Sequence, residues 1–327
     1  MAFLFATCWA AVALAGCASS SPVSPPGAAG GAASLGIAQI DSAATVVNER
    51  APVLLAIGAR AKNSPIEYWP LDPKGNNSPH ELVSPAGIGQ SPGMAVIGQK
   101  LAIANGNAIA LYDLQTKTKS SLPDPYGYPI DVAVDKHGSV YAANISGKRP
   151  NVVMYAAASG PARELVCSLQ RDASSIAVDD EGDIFVHQQG GVIEIPRGPN
   201  GPEPKSCRHL DLKTEPGYPA GLAVDPKTDD LVVLDDPDEC AGGINGRMTI
   251  YPKPYAKATG ISHDLGANCA AGLRLDATST LVFTVDQDPS GSYNFILQAT
   301  YPEGKRLGTY YGNKPGAFAT IPSALPN

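Results

Sequence analysis

A short apolar segment that follows a turn recurs about every 45 residues, and this repeat constrains the fold more than any other feature. The six copies are 93–97, 130–135, 175–179, 221–225, 272–276 and 316–320, and their last residues lie 38, 44, 46, 51 and 44 residues apart. Such a period is that of one blade of a β-propeller. Because no helical pattern of about 10–15 residues separates the short strands, the repeat predicts an all-β fold.

Three further strand types follow the repeated segment. The second strand occupies 101–104, 140–143, 184–186, 231–234 and 281–285. The third ends in a bulky residue before a breaker or turn residue, at Trp69-Pro70, Tyr112-Asp113, Tyr155-Ala156, Ile195-Pro196, Tyr251-Pro252 and Tyr301-Pro302. The fourth is more polar, as in 163–166 and 305–308, which suits an outermost strand facing water. The pattern therefore predicts four-stranded antiparallel blades.

The two ends of the repeat are complementary. The N-terminal stretch has a second strand at 53–57 and a third at 66–69, but no first strand, whereas the sixth copy of the first strand comes last in the chain. We expect 316–320 to join the N-terminal blade as its inner strand, which would close a six-bladed ring and leave no open sheet edge. The alternative is a β-sandwich with extra strands, which the regular four-strand period disfavours.

The Gly-Leu-Ala-Val-Asp and Leu-Val-Val-Leu-Asp segments within 221–235 resemble the NHL, SMP-30/gluconolactonase and TolB-like group of six-bladed propellers. The resemblance extends over about residues 50–322 and concerns the fold more than the activity. It implies, for the lactonases of the group, a central metal held by Glu, Asn and Asp. Their Glu-Gly-Pro stretch is absent, and Ala220 and Ala271 stand where their Asn precedes Gly-Leu. Since alanine cannot ligate a metal, a lactonase activity is disfavoured.

The chain opens with an apolar run of about 15 residues that ends in Leu14-Ala15-Gly16-Cys17, which resembles the lipobox of bacterial lipoproteins. The run suits a signal peptide and is too short to span a bilayer. We expect a signal peptide at 1–16, a lipidated Cys17 with a flexible Ser/Pro/Gly/Ala tether over 17–50, and the propeller over 51–327. The run lacks a preceding Lys or Arg, which indicates either a start further upstream or a weak signal. The alternative to a lipobox is a secretory signal with a coincidental cysteine.

Charge and cysteine content narrow the function further. A net charge of −7 argues against binding nucleic acid, which needs a clustered positive surface. An even number of cysteines after the tether permits disulfides in an exported chain. We predict Cys240–Cys269, because both loops would emerge on one face of the propeller. Cys167–Cys207 is the remaining possibility, although the outer strands of adjacent blades diverge.

Polar residues end the second strands, where a propeller brings strand ends towards its central channel. They are Asn105, Asn144, His187, Asp235 and Asp286. Carboxylate and amide oxygens are the ligands that calcium and other hard divalent cations prefer, so these side chains predict a ligand or metal site. The alternative is that they cap turns locally. A calcium loop within 236–246 lacks the full spacing, and no Gly-x-Ser-x-Gly elbow occurs.

These observations favour a monomeric, non-catalytic binding or scaffold module that needs no cofactor. It would be anchored by lipid in the cell envelope, in the outer membrane where the host has one, because Ala18 is not the Asp that marks inner-membrane retention. The expected partner is a protein, a glycan or another envelope component. The alternatives are an exported hydrolase or lyase with a divalent metal in the channel, and a purely structural envelope protein.

Overall fold

The computed structural model describes residues 53–58, 65–71, 79–83, 93–146, 150–167, 169, 173–212, 218–236, 246–255, 260–287, 294–311 and 315–321. In this part of the chain, six four-stranded antiparallel sheets form the blades of a β-propeller. The signal peptide, Cys17 and the tether lie outside the described residues. No helix within the described ranges has the length and hydrophobicity that a membrane span requires.

Each blade begins with an inner strand at the channel and ends with an outer strand at the rim. Blade I contains β26 (Pro315–Ile321), β1 (Val53–Gly58), β2 (Ile66–Pro70) and β3 (His80–Val83). Blade II contains β4 (Met94–Ile97), β5 (Lys100–Asn105), β6 (Ala108–Asp113) and β7 (Lys119–Pro123). Blade III contains β8 (Tyr128–Val134), β9 (Val140–Ser146), β10 (Asn151–Tyr155) and β11 (Arg163–Leu165).

The remaining three blades continue the same order. Blade IV contains β12 (Ser175–Val178), β13 (Ile184–Gln188), β14 (Gly191–Ile195) and β17 (Arg208–His209). A separate hairpin of β15 (Arg197–Gly198) and β16 (Gly201–Pro202) is inserted between its third and fourth strands. Blade V contains β18 (Tyr218–Val224), β19 (Leu231–Asp236), β20 (Arg247–Tyr251) and β21 (Ile261–Asp264). Blade VI contains β22 (Ala270–Leu275), β23 (Leu281–Gln287), β24 (Asn294–Thr300) and β25 (Arg306–Tyr311), and short 3-10 turns occur at Ala156–Ala158 and Pro204–Ser206.

The predicted closure of the ring is confirmed. Strand β26 pairs antiparallel with β1, with Leu54 opposite Thr320 and Ala56 opposite Phe318. The first and last described strands therefore share blade I, and β1 gains a hydrogen-bonded neighbour on each side. Thr320 also donates from Oγ1 to the Leu275 carbonyl at 2.9 Å, which ties blade I to blade VI.

The aspartate that ends several copies of the repeat caps the turn to the second strand. Asp179 Oδ1 accepts hydrogen bonds from the backbone N–H groups of Glu181, Gly182 and Asp183 at 2.8–3.0 Å. Asp276 does the same for its own turn. An aspartate carboxylate satisfies donors in such a turn that a strand ladder cannot reach. We call the side of the propeller that carries these turns the turn face.

At the turn face, these aspartates also form contacts between neighbouring blades. In three blades, the aspartate is contacted by a polar side chain of the next blade. The pairs are Asp135 with Arg197 at 3.5 Å, Asp179 with Lys253 at 3.2 Å, and Asp225 with the Ser279 hydroxyl. Burial opposes protonation of Lys253, but the Glu181 and Asp179 carboxylates prevail and raise its pKa. The repeat thus supplies inter-blade contacts as well as turns.

Apolar clusters fill the spaces between blades. The bulky residues that end the third strands are buried there, at Trp69, Tyr112, Tyr155, Ile195, Tyr251 and Tyr301. Trp69 of blade I packs edge-on against Tyr310 of blade VI, with ring centroids 6.0 Å apart. These large side chains occupy the wedge that opens between diverging sheets, so each blade depends on its neighbours.

A disulfide joins Cys167 of blade III to Cys207 of blade IV, with the Cα atoms 6.1 Å apart. The divergence of the outer strands does not keep the two cysteines apart, because Cys207 precedes β17. It follows the inserted hairpin and the Pro204–Ser206 turn, which bring the chain back beside β11. Cys269 is also disulfide-bonded. Its predicted partner, Cys240, lies outside the described residues.

Candidate functional site

A cavity of about 320 Å³ opens at the end of the central channel opposite the turn face. We call this side the cavity face. All six blades contribute to the wall, through the first residues of the inner strands and the last residues of three second strands. The wall is mostly apolar, and its polar members include Asp131, Ser174, Asp236, Arg274 and Gln287. A concave apolar cavity with a few polar groups is the usual form of a ligand site, and this volume is at the small end of the common range.

Glycines let the inner strands approach one another just below the cavity. A Cβ atom on Gly93 would lie 2.4 Å from Asp131 Cα, and one on Gly221 would lie 2.7 Å from the Leu273 nitrogen. The same position of the repeat is glycine in four blades, at Gly93, Gly221, Gly272 and Gly316. The other two blades have Asp131 and Ser175 there, so this ring of the channel is narrow and mostly without side chains.

Arg274 crosses this narrow ring and pairs with Asp131. Its Nη2 donates to Asp131 Oδ1 at 2.7 Å and to the Met94 carbonyl at 3.2 Å, while Nη1 donates to the Leu273 carbonyl at 2.8 Å. One guanidinium therefore links blades VI, II and III. Both side chains line the cavity, and only 18% of the arginine side chain and 6% of the aspartate side chain are exposed.

Asp131 also connects its own blade to blade IV. Its Oδ2 accepts from the Ser175 hydroxyl at 2.8 Å and from the Ile176 N–H at 3.1 Å. Ser175 Oγ in turn accepts from the Leu222 N–H of blade V at 3.1 Å. The cavity floor is consequently a continuous polar network through blades II to VI.

The two partners of this ion pair are the residues that break the repeat. Two positions after the glycine ring, four blades have alanine, at Ala95, Ala133, Ala177 and Ala223. Blade VI has Arg274 and blade I has Phe318 at that position, and both line the cavity. The sequence argument overlooked these residues, although a comparison of the six copies position by position would have revealed them.

Irregularities in three inner strands lie at the same level as the cavity. The register of β8 against β9 shifts between Pro129 and Asp131, and that of β18 against β19 shifts between Pro219 and Gly221. In β22 the shift falls between Ala271 and Arg274, where Gly272 has a φ of +68°. Bulges redirect side chains and are common beside functional sites.

None of the five predicted channel residues is part of the cavity wall. The structure brings His187 and Asp235 together, with Nε2 and Oδ1 3.2 Å apart, and His187 Nδ1 lies 3.1 Å from the Gly221 carbonyl. Both ring nitrogens of His187 therefore face an oxygen of blade V. The pair connects blades IV and V behind the channel.

The other three residues occupy separate places. Asn144 is buried and donates from Nδ2 to Asp124 and Asn151 at 3.0 and 2.9 Å. Asn105 ends β5 and is partly exposed. Asp286 accepts from the backbone N–H groups of Asn268 and Cys269, and burial raises its pKa despite those bonds. The side chains that line the cavity are the next residues along these strands: Ile145, Asp236 and Gln287.

Residues with the chemistry of a metal site cluster elsewhere in the described part of the chain. Asp179, Glu181 and Asp183 have oxygens within 4.8 Å of one another. They lie at the turn face, and Lys253 Nζ is 3.2 Å from Asp179 and 3.0 Å from Glu181. In the cavity, Ala220 and Ala271 line the wall, and alanine offers a metal no side-chain ligand. Asp238, Glu239 and Asp288, which extend the acidic segments, lie outside the described residues.

Comparisons with known proteins agree with this fold. No family model and no curated protein sequence matches the chain. A chain of the nidogen/laminin complex is similar in structure, with a TM-score of 0.60 and 13% identity, over 83% of this chain and 98% of that one.

Two further solved structures are similar in fold. TolB from Acinetobacter baumannii has a TM-score of 0.60 and 14% identity, over 82% of this chain and 66% of TolB. A streptogramin B lyase has a TM-score of 0.50 and 14% identity, over 69% of this chain and 70% of the lyase. The similarity is one of fold. At such low identities it carries no activity over to this chain.

Proposed function

We propose that this protein is an exported, lipid-anchored, non-catalytic binding module whose ligand enters the cavity at the end of the central channel. The observation that carries the proposal is the cavity itself, to which all six blades contribute and in which the repeat-breaking Asp131 and Arg274 meet. Since the other blades fold without a charged residue at either position, the fold does not require the pair. The ligand belongs to a protein, a glycan or another envelope component.

The chemistry of the wall supports binding over metal-dependent catalysis. Ala220 and Ala271 line the cavity and stand at the sequence positions where lactonases of the resembling group carry an asparagine ligand. The acidic cluster that could attract a cation is at the opposite face and is occupied by the Lys253 ammonium. An exported hydrolase or lyase with a channel metal remains the alternative outcome of the tests below.

Two features support export and a defined orientation. A disulfide between Cys167 and Cys207 persists in an oxidising compartment and is rare in the cytosol. The chain enters the propeller at Val53, which pairs with Ile321 at the turn face, whereas Ala317 near the other end of β26 lines the cavity. A tether from Cys17 would therefore attach at the turn face and leave the cavity facing away from the membrane.

Lipidation is tested by labelling cells that express the full chain with radioactive palmitate and separating their membranes. We expect label and membrane association in the wild type and in Cys8→Ala, which is the matched control, and loss of both in Cys17→Ala. Labelling that survives Cys17→Ala, or a wild type that stays unlabelled, would contradict the anchor.

Binding in the cavity is tested by isothermal titration calorimetry of the full chain in detergent, with 2-naphthamide and 2-naphthoate as probes and detergent alone as the blank. Ala271→Phe should fill the cavity and remove binding of either probe. Ala277→Phe adds the same ring to an exposed position at the turn face and should leave binding intact. Elemental analysis of the same protein decides the alternative, because a stoichiometric divalent metal in the wild type would favour an enzyme.

A further inference from the structure

Arg274 has hydrogen-bond donors left over at the floor of the cavity. A guanidinium carries five N–H groups, and Arg274 uses three of them, on Asp131 and on the Met94 and Leu273 carbonyls. Within the described residues, Nε and the second Nη1 hydrogen have no acceptor. The contact with Asp131 runs through Nη2 alone, so the pair does not use the two-pronged geometry that arginine and carboxylates can form.

Asp131, by contrast, is well supplied with donors from other residues. Besides Arg274, it accepts from the Val132 N–H at 2.9 Å, from the Ser175 hydroxyl and from the Ile176 N–H. Three hydrogen bonds thus stabilise the carboxylate charge without the arginine. Arg274 consequently keeps two unused donors on a charged group in a mostly apolar cavity, where a hydrogen bond to an anion is stronger than in water.

We propose that the cavity binds a small, mostly apolar molecule with a single anionic head, and that Arg274 holds this head through its remaining donors. This inference rests on the proposed function. The apolar body would lie along Ala270, Ala271 and Phe318, above the guanidinium. Asp236 also lines the cavity and opposes a second negative charge, so the anionic group is at one end of the ligand. A carboxylate and a sulfonate share the required chemistry.

The test compares two probes of nearly the same shape, 2-naphthoate with a carboxylate and 2-naphthamide with a neutral amide. Calorimetry of the full chain in detergent should give a dissociation constant for 2-naphthoate about 10- to 100-fold below that for 2-naphthamide, as expected for hydrogen bonds to a charged group. Arg274→Met should bring the ratio of the two dissociation constants close to one, and Arg274→Lys should retain part of the preference.

A second variant should change the preference for 2-naphthoate in the opposite direction. Asp131→Asn removes the negative charge beside Arg274, so the preference for 2-naphthoate over 2-naphthamide should increase several-fold. Thermal unfolding of each variant verifies that the propeller is intact. If both probes bind the wild type equally, or if the preference for 2-naphthoate survives Arg274→Met, the anionic head is wrong although the cavity binds ligands. If neither probe binds the wild type, the proposed function of the cavity fails as well.

Discussion

The ion pair at the cavity floor predicts a measurable coupling energy between Asp131 and Arg274. Asp131→Ala leaves the Ser175 hydroxyl, the Ile176 N–H and the Arg274 guanidinium without their acceptor. Breaking a buried pair from one side in this way should lower the free energy of unfolding by about 3–5 kcal/mol. Arg274→Ala should cost less, about 1.5–3 kcal/mol, because Asp131 keeps three other donors.

The double variant completes the cycle. Both side chains are mostly buried, so solvent screens their interaction only partly. The two substitutions together should cost less than the sum of the single effects by about 1.5–3 kcal/mol, the value of one charge-assisted hydrogen bond. Urea unfolding of the four proteins, monitored by circular dichroism and by the fluorescence of buried Trp69, measures the difference. Costs that add to within about 0.5 kcal/mol would refute the pairing.

Three other features predict distinct outcomes. Replacing Cys167 and Cys207 by serine should lower the free energy of unfolding by about 3–4 kcal/mol, from the chain entropy of a 40-residue separation, and a change below about 0.5 kcal/mol in urea unfolding would contradict this. Burial raises the pKa of Asp286 above its ordinary value of 3.8, so as the pH falls the folded state binds this proton before the unfolded state does. The wild type should therefore gain stability relative to Asp286→Asn between about pH 7 and about pH 4.5, and a pH-independent difference in urea unfolding would refute this. Removing residues 315–327 deletes β26 and exposes the edge of β1, so size-exclusion chromatography should show aggregation, whereas removing only 322–327 should leave a monomer.

The fold was largely predictable from the sequence because its determinants are local and repeated. Alternating apolar strands, the aspartate that caps the next turn and the bulky residue that ends the third strand recur in most blades. The closure by 316–320 could be predicted because the N-terminal blade lacks a first strand, and the last copy of the first strand has no second or third strand after it. The Cys167–Cys207 bridge was harder to predict, since the hairpin at 197–202 and the turn after it have no counterpart in the other blades.

The cavity was not predictable to the same degree, because it depends on register. Successive residues of a strand point to opposite sides, so a shift by one residue moves a side chain from the cavity to the space between blades. The polar ends of the second strands were recognised, but Asp236 and Gln287 line the cavity rather than Asp235 and Asp286. The bulges near Ile130, Ala220 and Gly272 alter the inner strands in the same region, and no simple alternation of apolar and polar residues predicts them.

Residues of the repeat are used regularly at the turn face, whereas two residues depart from the repeat at the cavity face. This contrast favours the cavity face as the proposed binding site. At the turn face, the aspartate that ends the first strand caps the following turn, and in three blades it also contacts a side chain of the next blade. At the cavity face, Arg274 and Asp131 depart from alanine and glycine, and they depart as a matched pair. A buried ion pair rarely stabilises a protein more than the apolar residues it replaces. Stability alone therefore does not explain why the pair is present, and this is the reason for our proposal that Arg274 recognises a polar group on a ligand.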